Sequence, residues 1–190
     1  MDAKSDQDDD LQNLDQPHQV LKKLLVAHET WFDVSRDYSF GGHLFPGYAE
    51  FHSHGEKYVL VKSAKLWEVD AHEYLFFEVA RTLSADEVRT WIAFMTEEAL
   101  KKVHPEPNHM TSYISLVLVA ESVDAQAVKL IRKTRFHKEF KLGVEGWADL
   151  RLAAVSVSTK QVFTNNMGKD LVPQLESALG LPAKKKLFRR

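Results

Sequence analysis

The sequence predicts an α+β fold: a single domain with a mostly antiparallel mixed sheet, an N-terminal β-meander and helices packed on it. Three observations carry this expectation. A chain of 190 residues with 44% apolar side chains can bury roughly 70% of the surface its unfolded form exposes, enough for one core. Hydrophobic periodicity switches along the chain between helical and strand repeats, and three consecutive strand patterns joined by short turns suggest a meander. No repeat recurs at a fixed period and no linker splits the chain, so one domain of mixed class fits.

Taken in order, residues 1–13 combine low hydrophobicity with clustered acidic charge and read as a disordered acidic tail. Asp15 or Gln16 before Pro17 marks a helix start. Val20, Leu21, Leu24, Leu25, Trp31 and Phe32 then form one stripe of a helix from Pro17 to Phe32. Tyr38 to Gly47 reads as an aromatic, glycine-rich loop. From Tyr48 the period becomes two: Tyr48, Glu50, His52 and His54 share one face, and Ala49, Phe51 and Ser53 the other. Gly55-Glu56 is a Gly-X hairpin turn. Lys57 to Leu66 makes the second strand and, past a turn near Asp70, His72 to Val79 makes the third.

Ser84-Ala-Asp-Glu87 is a capping box. It opens a helix with the stripe Val88, Trp91, Ile92, Met95, Ala99 and Val103, stopped at His104-Pro105. Met110 to Ala120 is apolar on both parities, as a central strand covered on both faces would be. Ser122 or Asp124 caps a short helix to Thr134. Arg135 to Leu142 alternates, with Phe136, Phe140 and Leu142 inward. Trp147 to Ser158 is a long strand that Thr159-Lys160 turns into Gln161 to Thr164. A last helix from Lys169 to Leu179 begins effectively near Val172, because Pro173 belongs in a first turn, and Gly180 and Pro182 stop it. The domain thus covers 14–180, and 181–190 is a basic C-terminal tail.

The chain has no cysteine. Disulfides, thiolate metal sites and cysteine nucleophiles are therefore excluded, and a reducing compartment fits. Its apolar runs are far shorter than the ~20 residues of a spanning helix, and its acidic N-terminus is no secretion signal, so a cytoplasmic location without membrane insertion is expected. Net charge is −2 and unevenly placed, with five Asp and one Lys in residues 1–10 and five cations in Lys184 to Arg190. The body carries no basic face of the kind that binds nucleic acid. The basic tail alone could contact phosphates, although charged termini commonly stay solvated.

Glu50, His52 and His54 form the sharpest chemical feature. Alternate strand side chains project from one face every ~6.6–7 Å, and two imidazoles with a carboxylate so placed could begin a site for a divalent transition metal. His43 could add a fourth ligand, and His72 could join if the third strand folds back beside them. The competing explanation is a solvent-facing strand face, with Lys57 opposite His54 across the turn. His104, Glu106 and His109 surround a Pro-rich connection that reads as a polar surface loop. The order helix, three strands, helix, strand also occurs in PD-(D/E)xK nucleases. The one Glu-x-Lys, Glu139-Phe-Lys141, nevertheless lacks an acidic hairpin partner, since a helix separates it from Glu121 and Asp124. Asp149 and Arg151 share a strand face and read as an ion pair. His28 reads as a core histidine, and Tyr38, Phe40, Phe45 and Tyr48 as a cap on the core. No GxGxxG, Walker lysine loop or GxSxG elbow is present.

The segments Phe51-His-Ser-His-Gly-Glu-Lys-Tyr-Val-Leu60, His109-Met-Thr-Ser-Tyr-Ile114 and Gly146-Trp-Ala-Asp-Leu-Arg-Leu152 resemble an uncharacterised family of bacterial proteins, over about Leu24 to Asn166. That resemblance implies a bacterial cytoplasmic protein and attaches no activity to it. By elimination the expected function is a non-enzymatic binding or interaction module for a protein partner or small molecule. The alternatives are a metal-dependent hydrolase-type enzyme using His52, His54, Glu50 and His43, and a nucleic-acid-associated protein using the basic tail.

Overall fold

The computed structural model describes residues 15–52, 70–105 and 109–182. The expected acidic tail, the Gly55-Glu56 turn, the Lys57 to Leu66 strand and the basic tail lie outside them. In chain order come α1 (Gln16–His28), β1 (Asp33–Phe40), β2 (His43–His52), β3 (Asp70–Leu83) and α2 (Ala85–Glu97), followed by a 3₁₀ turn over Ala99–Lys102. Then come β4 (His109–Val123), α3 (Ala125–Lys133), β5 (His137–Glu139), β6 (Trp147–Ser156), β7 (Gln161–Thr164) and α4 (Val172–Ala178).

All seven strands form one mixed sheet in the order β1-β2-β3-β4-β6-β5, with β7 pairing the C-terminal half of β6. The β1-β2-β3 meander is antiparallel, β3, β4 and β6 run parallel, and β5 and β7 oppose β6. The α+β class therefore holds, with β4 as the central strand expected. The meander itself begins one strand earlier than the sequence suggests. Tyr38 to Gly47 is not a loop but the β1–β2 hairpin, whose two-residue turn is Gly41-Gly42, with Phe40 paired to His43. Both glycines have positive φ (58° and 78°), the requirement of a type I′ turn. Gly41 also lies where a Cβ would come within 2.8 Å of the Phe94 ring. Pro46, which cannot donate to a ladder, sits opposite Asp37, itself left out of the pairing at φ 54°.

Helices cover both faces. On one, α2 and α3 pack on Phe45, Tyr48, Phe76, Ile114, Leu116, Leu118 and Leu152. On the other, α1 and α4 pack on Ala49, Leu75, Phe77, Val117, Val119, Ala153 and Val155. The two parities of β4 thus belong to different cores, which is why that strand is apolar throughout. Asp15 caps α1 by accepting from the His18 amide at 3.0 Å. The helix ends at His28, short of the expected Phe32, leaving Trp31 54% exposed. His28 is buried, its Nδ1 2.7 Å from the Leu24 carbonyl. The Ser84 capping box forms as read: Glu87 accepts from the Ser84 amide at 2.8 Å, and Ser84 Oγ from the Glu87 amide at 3.3 Å. Among the described residues no helix is long and apolar enough to cross a membrane.

Arg135 to Leu142 departs from its reading. Only His137–Glu139 pairs as strand, and Leu142 is 95% exposed at φ 58° rather than inward. The chain turns there because residues 140–146 close on themselves: the Phe140 amide donates to the Gly146 carbonyl at 2.9 Å, and the Glu145 amide to the Phe140 carbonyl at 3.2 Å. Gly146, at φ 76°, seats this loop against β4, where a Cβ would lie 2.5 Å from the Met110 carbonyl and 2.6 Å from that of His109. Replacing Gly146 with Ala is expected to destabilise the fold by at least about 2 kcal/mol in urea unfolding, because strain and backbone collision add. A loss within about 0.5 kcal/mol would contradict that close approach.

Candidate functional site

Polar side chains collect where β2 ends and β3 and β4 begin, on the face that carries α2. Tyr48 and Glu50 alternate on β2, so both point to that face, and the Tyr48 hydroxyl donates to Glu50 Oε2 at 2.6 Å. The 3₁₀ turn after α2 delivers Lys102 from above. Its Nζ donates to Glu50 Oε2 at 3.2 Å and to the Tyr38 hydroxyl at 2.8 Å. It also lies 4.4 Å from the Tyr48 ring centroid, 5.1 Å from Tyr38, 5.5 Å from Tyr74 and 5.7 Å from Phe40. An ammonium this enclosed exchanges hydration for ring faces and one carboxylate. Burial pushes the Glu50 carboxyl up, but hydrogen bonds from Tyr48 and Lys102 outweigh it, and the pKa lies below the usual value. Burial and then the hydrogen bond to Glu50 raise the Tyr48 phenol, while burial and then the Glu50 charge push Tyr74 up to about 12. Both tyrosines therefore stay neutral at physiological pH, and Tyr48 stays a donor to Glu50.

His52 continues the row. Its Nε2 lies 3.9 Å from Glu50 Oε2 and its Nδ1 2.9 Å from Nδ1 of His72, the residue directly opposite on β3. The His72 ring stacks on that of His109 at 5.9 Å. His109 is not part of a surface loop: it opens β4, is buried, and uses both ring nitrogens, one on Ser112 Oγ at 2.8 Å and one on the Glu145 carbonyl at 2.7 Å.

Of the expected metal ligands, the fold therefore brings Glu50 and His52 together and adds His72. His43 is elsewhere. It pairs with Glu78 at 2.7 Å between Phe45 and Trp91, seven residues and roughly 24 Å along β2 from Glu50. His54 and Glu106 lie outside the described residues. Among the described residues no three His, Asp or Glu side chains gather in a way that could hold a metal ion.

The same end of the other face carries Arg151, stacked 3.5 Å over the Tyr113 ring and donating to Glu73 at 3.0 Å, with Ser115 donating to the second Glu73 oxygen at 2.7 Å. Arg151 does not pair with Asp149, which instead holds His137 across the β5–β6 ladder at 2.8 Å. Glu139 sits exposed on edge strand β5, and Lys141 pairs with Glu145, so the Glu-x-Lys does not converge on a site. A cavity of about 480 Å³ opens beside β2, lined by Glu29, Thr30, Trp31, Phe32, Asp33, Glu50, Phe51 and His52.

The family described as "Domain of unknown function (DUF8052)" matches residues 16–177. The chain belongs to this family. No curated protein and no solved structure matches it. The family match spans every residue of the polar row and of the cavity.

Sequence reasoning missed Lys102, Glu73 and His109 as members of these clusters. Lys102 follows Ala99 on a helical stripe, and nothing local tells a buried lysine from a solvated one. Its role follows from three tyrosines and a glutamate contributed by strands 28–64 residues away. Substituting Lys102 with Met keeps the apolar stem and removes the ammonium, so it should destabilise this DUF8052 domain by about 1–3 kcal/mol, the cost of leaving Glu50 without its cation. Adding Glu50→Gln should recover part of that loss. Strict additivity of the two substitutions in chemical denaturation would show that the pair is not coupled.

Proposed function

We propose that this chain is a non-enzymatic binding module whose cavity receives a positively charged group of a protein partner or small molecule. The observation that carries this reading is the composition of the lining: three carboxylates (Glu29, Asp33, Glu50) and three aromatic rings (Trp31, Phe32, Phe51), with no lysine or arginine among the described lining residues. Arg36 occupies Glu29 at 2.6 Å and Lys102 occupies Glu50 at 3.2 Å, so Asp33 leaves the lining net negative. A cation entering there meets ring faces and carboxylates together, the combination that favours an ammonium or guanidinium.

A second reading, a metal-dependent enzyme of the hydrolase type, draws support from the His52–His72 approach. Such chemistry needs enough protein ligands to hold the ion and activate water, and the described residues supply no set of three. Binding is therefore preferred. The nucleic-acid reading rests on Lys184 to Arg190, outside the described residues. We further infer a bacterial, cytoplasmic setting, supported by the cysteine-free composition and by the resemblance to a family of bacterial proteins.

Amide chemical shifts of residues 29–33 and 50–52 test the proposal. A lysine- or arginine-rich peptide should move them saturably, less so as salt rises. Trp31→Ala or Asp33→Asn should weaken binding by about threefold or more. Equal perturbation by a glutamate-rich peptide, or none by either, would contradict the reading.

A further inference from the structure

We propose that His52 and His72 form a two-imidazole clamp for a divalent transition ion that takes ligands at right angles, Cu(II) or Ni(II) rather than Zn(II). The site borders the cation-binding cavity, whose lining includes His52 and Glu50, but differs from it in chemistry. It uses ring lone pairs where the cavity uses carboxylates and ring faces.

Antiparallel pairing sets His52 directly across from His72, and the two Nδ1 atoms stand 2.9 Å apart. Two metal–nitrogen bonds of about 2.0–2.1 Å spanning that gap subtend about 90° at the ion, the angle of adjacent positions in tetragonal or octahedral coordination. A tetrahedral ion would require the nitrogens to separate to about 3.3–3.4 Å. The separation as it stands therefore suits the first geometry, and the two rings need only turn so that their lone pairs, now directed at each other, converge on an ion beside the line between them.

In the metal-free protein one Nδ1–H donates to the other Nδ1. Binding requires both lone pairs, so the donor ring must carry its proton on Nε2 instead. On His52 that Nε2 faces Glu50 Oε2 at 3.9 Å, the side on which a metal-bound histidine hands its remaining proton to a carboxylate. Glu50 is fixed there by Tyr48 and Lys102. The His52 side chain is 35% exposed, which gives an ion access and leaves its other positions to water. His109 stacks on His72 but contributes no ligand, because both of its nitrogens are committed to Ser112 and Glu145.

Tag-free full-length protein titrated separately with Ni(II) and Zn(II), in the absence of any peptide, tests the clamp. This pair of ions is chosen because Cu(II) binds most nitrogen sites tightest whatever their shape. Ni(II) should bind one ion per chain at least about tenfold tighter than Zn(II), and His52→Gln or His72→Gln should each remove at least about tenfold of that affinity. His43→Gln and His137→Gln should leave it unchanged. On wild-type protein, substoichiometric Cu(II) should broaden the imidazole signals of His52 and His72 before those of the other histidines. Zn(II) binding as tightly as Ni(II), Ni(II) affinity indifferent to both substitutions, or broadening that begins at another histidine would overturn it. Because no peptide is present, failure here leaves the cavity reading standing, and failure of the cavity reading leaves the clamp standing.

Discussion

The enclosed ammonium of Lys102 is the constraint around which one end of the sheet is organised. A charge taken from water must find an opposite charge and enough acceptors or ring faces, or the structure gives way. Lys102 finds them on three strands at once: Tyr38 from β1, Tyr48 and Glu50 from β2, and Tyr74 from β3. The lysine thereby ties the end of α2 to the meander. It also fixes the Glu50 carboxylate that faces His52, so the electrostatics of the core reach the surface imidazoles through one side chain.

The helices explain why this chemistry sits at one end. The apolar contacts of α1, α2, α3 and α4 concentrate on residues 74–77, 114–119 and 150–155. Beyond that cover the strands carry Glu50, His52, His72, Glu73, Ser112 and Tyr113, with Arg151 at its border, and the register brings them side by side on two faces. Each face solves its polar problem internally. One uses the tyrosines, Lys102 and Glu50, while the other uses Tyr113, Arg151, Glu73 and Ser115. Groups satisfied in this way are held in place by their partners, which fixes the geometry of both polar clusters.

Much of the fold was legible from local signals. The Ser84 capping box, the doubly apolar β4, the Gln161 to Thr164 return strand and the core histidine His28 each depend on nearest neighbours or on simple periodicity. The β1–β2 hairpin was hidden because Gly41 and Gly42 read as breakers, when in fact their positive φ lets a two-residue turn form. Leu142 was assigned inward because alternation predicts direction only while the chain stays extended, and here it does not. Of the candidate site, the shared face of Tyr48, Glu50 and His52 followed from the strand period, and His72 was foreseeable only on condition of its register. The cage of Lys102 and the separation of His43 depend on which strands become neighbours, and no local pattern carries that.

Imidazole ¹⁵N spectroscopy of labelled protein tests most directly whether the lysine cage organises the surface row. Wild-type protein should show a coupling transmitted between Nδ1 of His52 and Nδ1 of His72 through their shared hydrogen bond, and the coupling should vanish in a folded Lys102→Met variant as Glu50 is released. An identical coupling in both proteins, or none in either, would mean that the imidazoles are arranged independently of the buried charge.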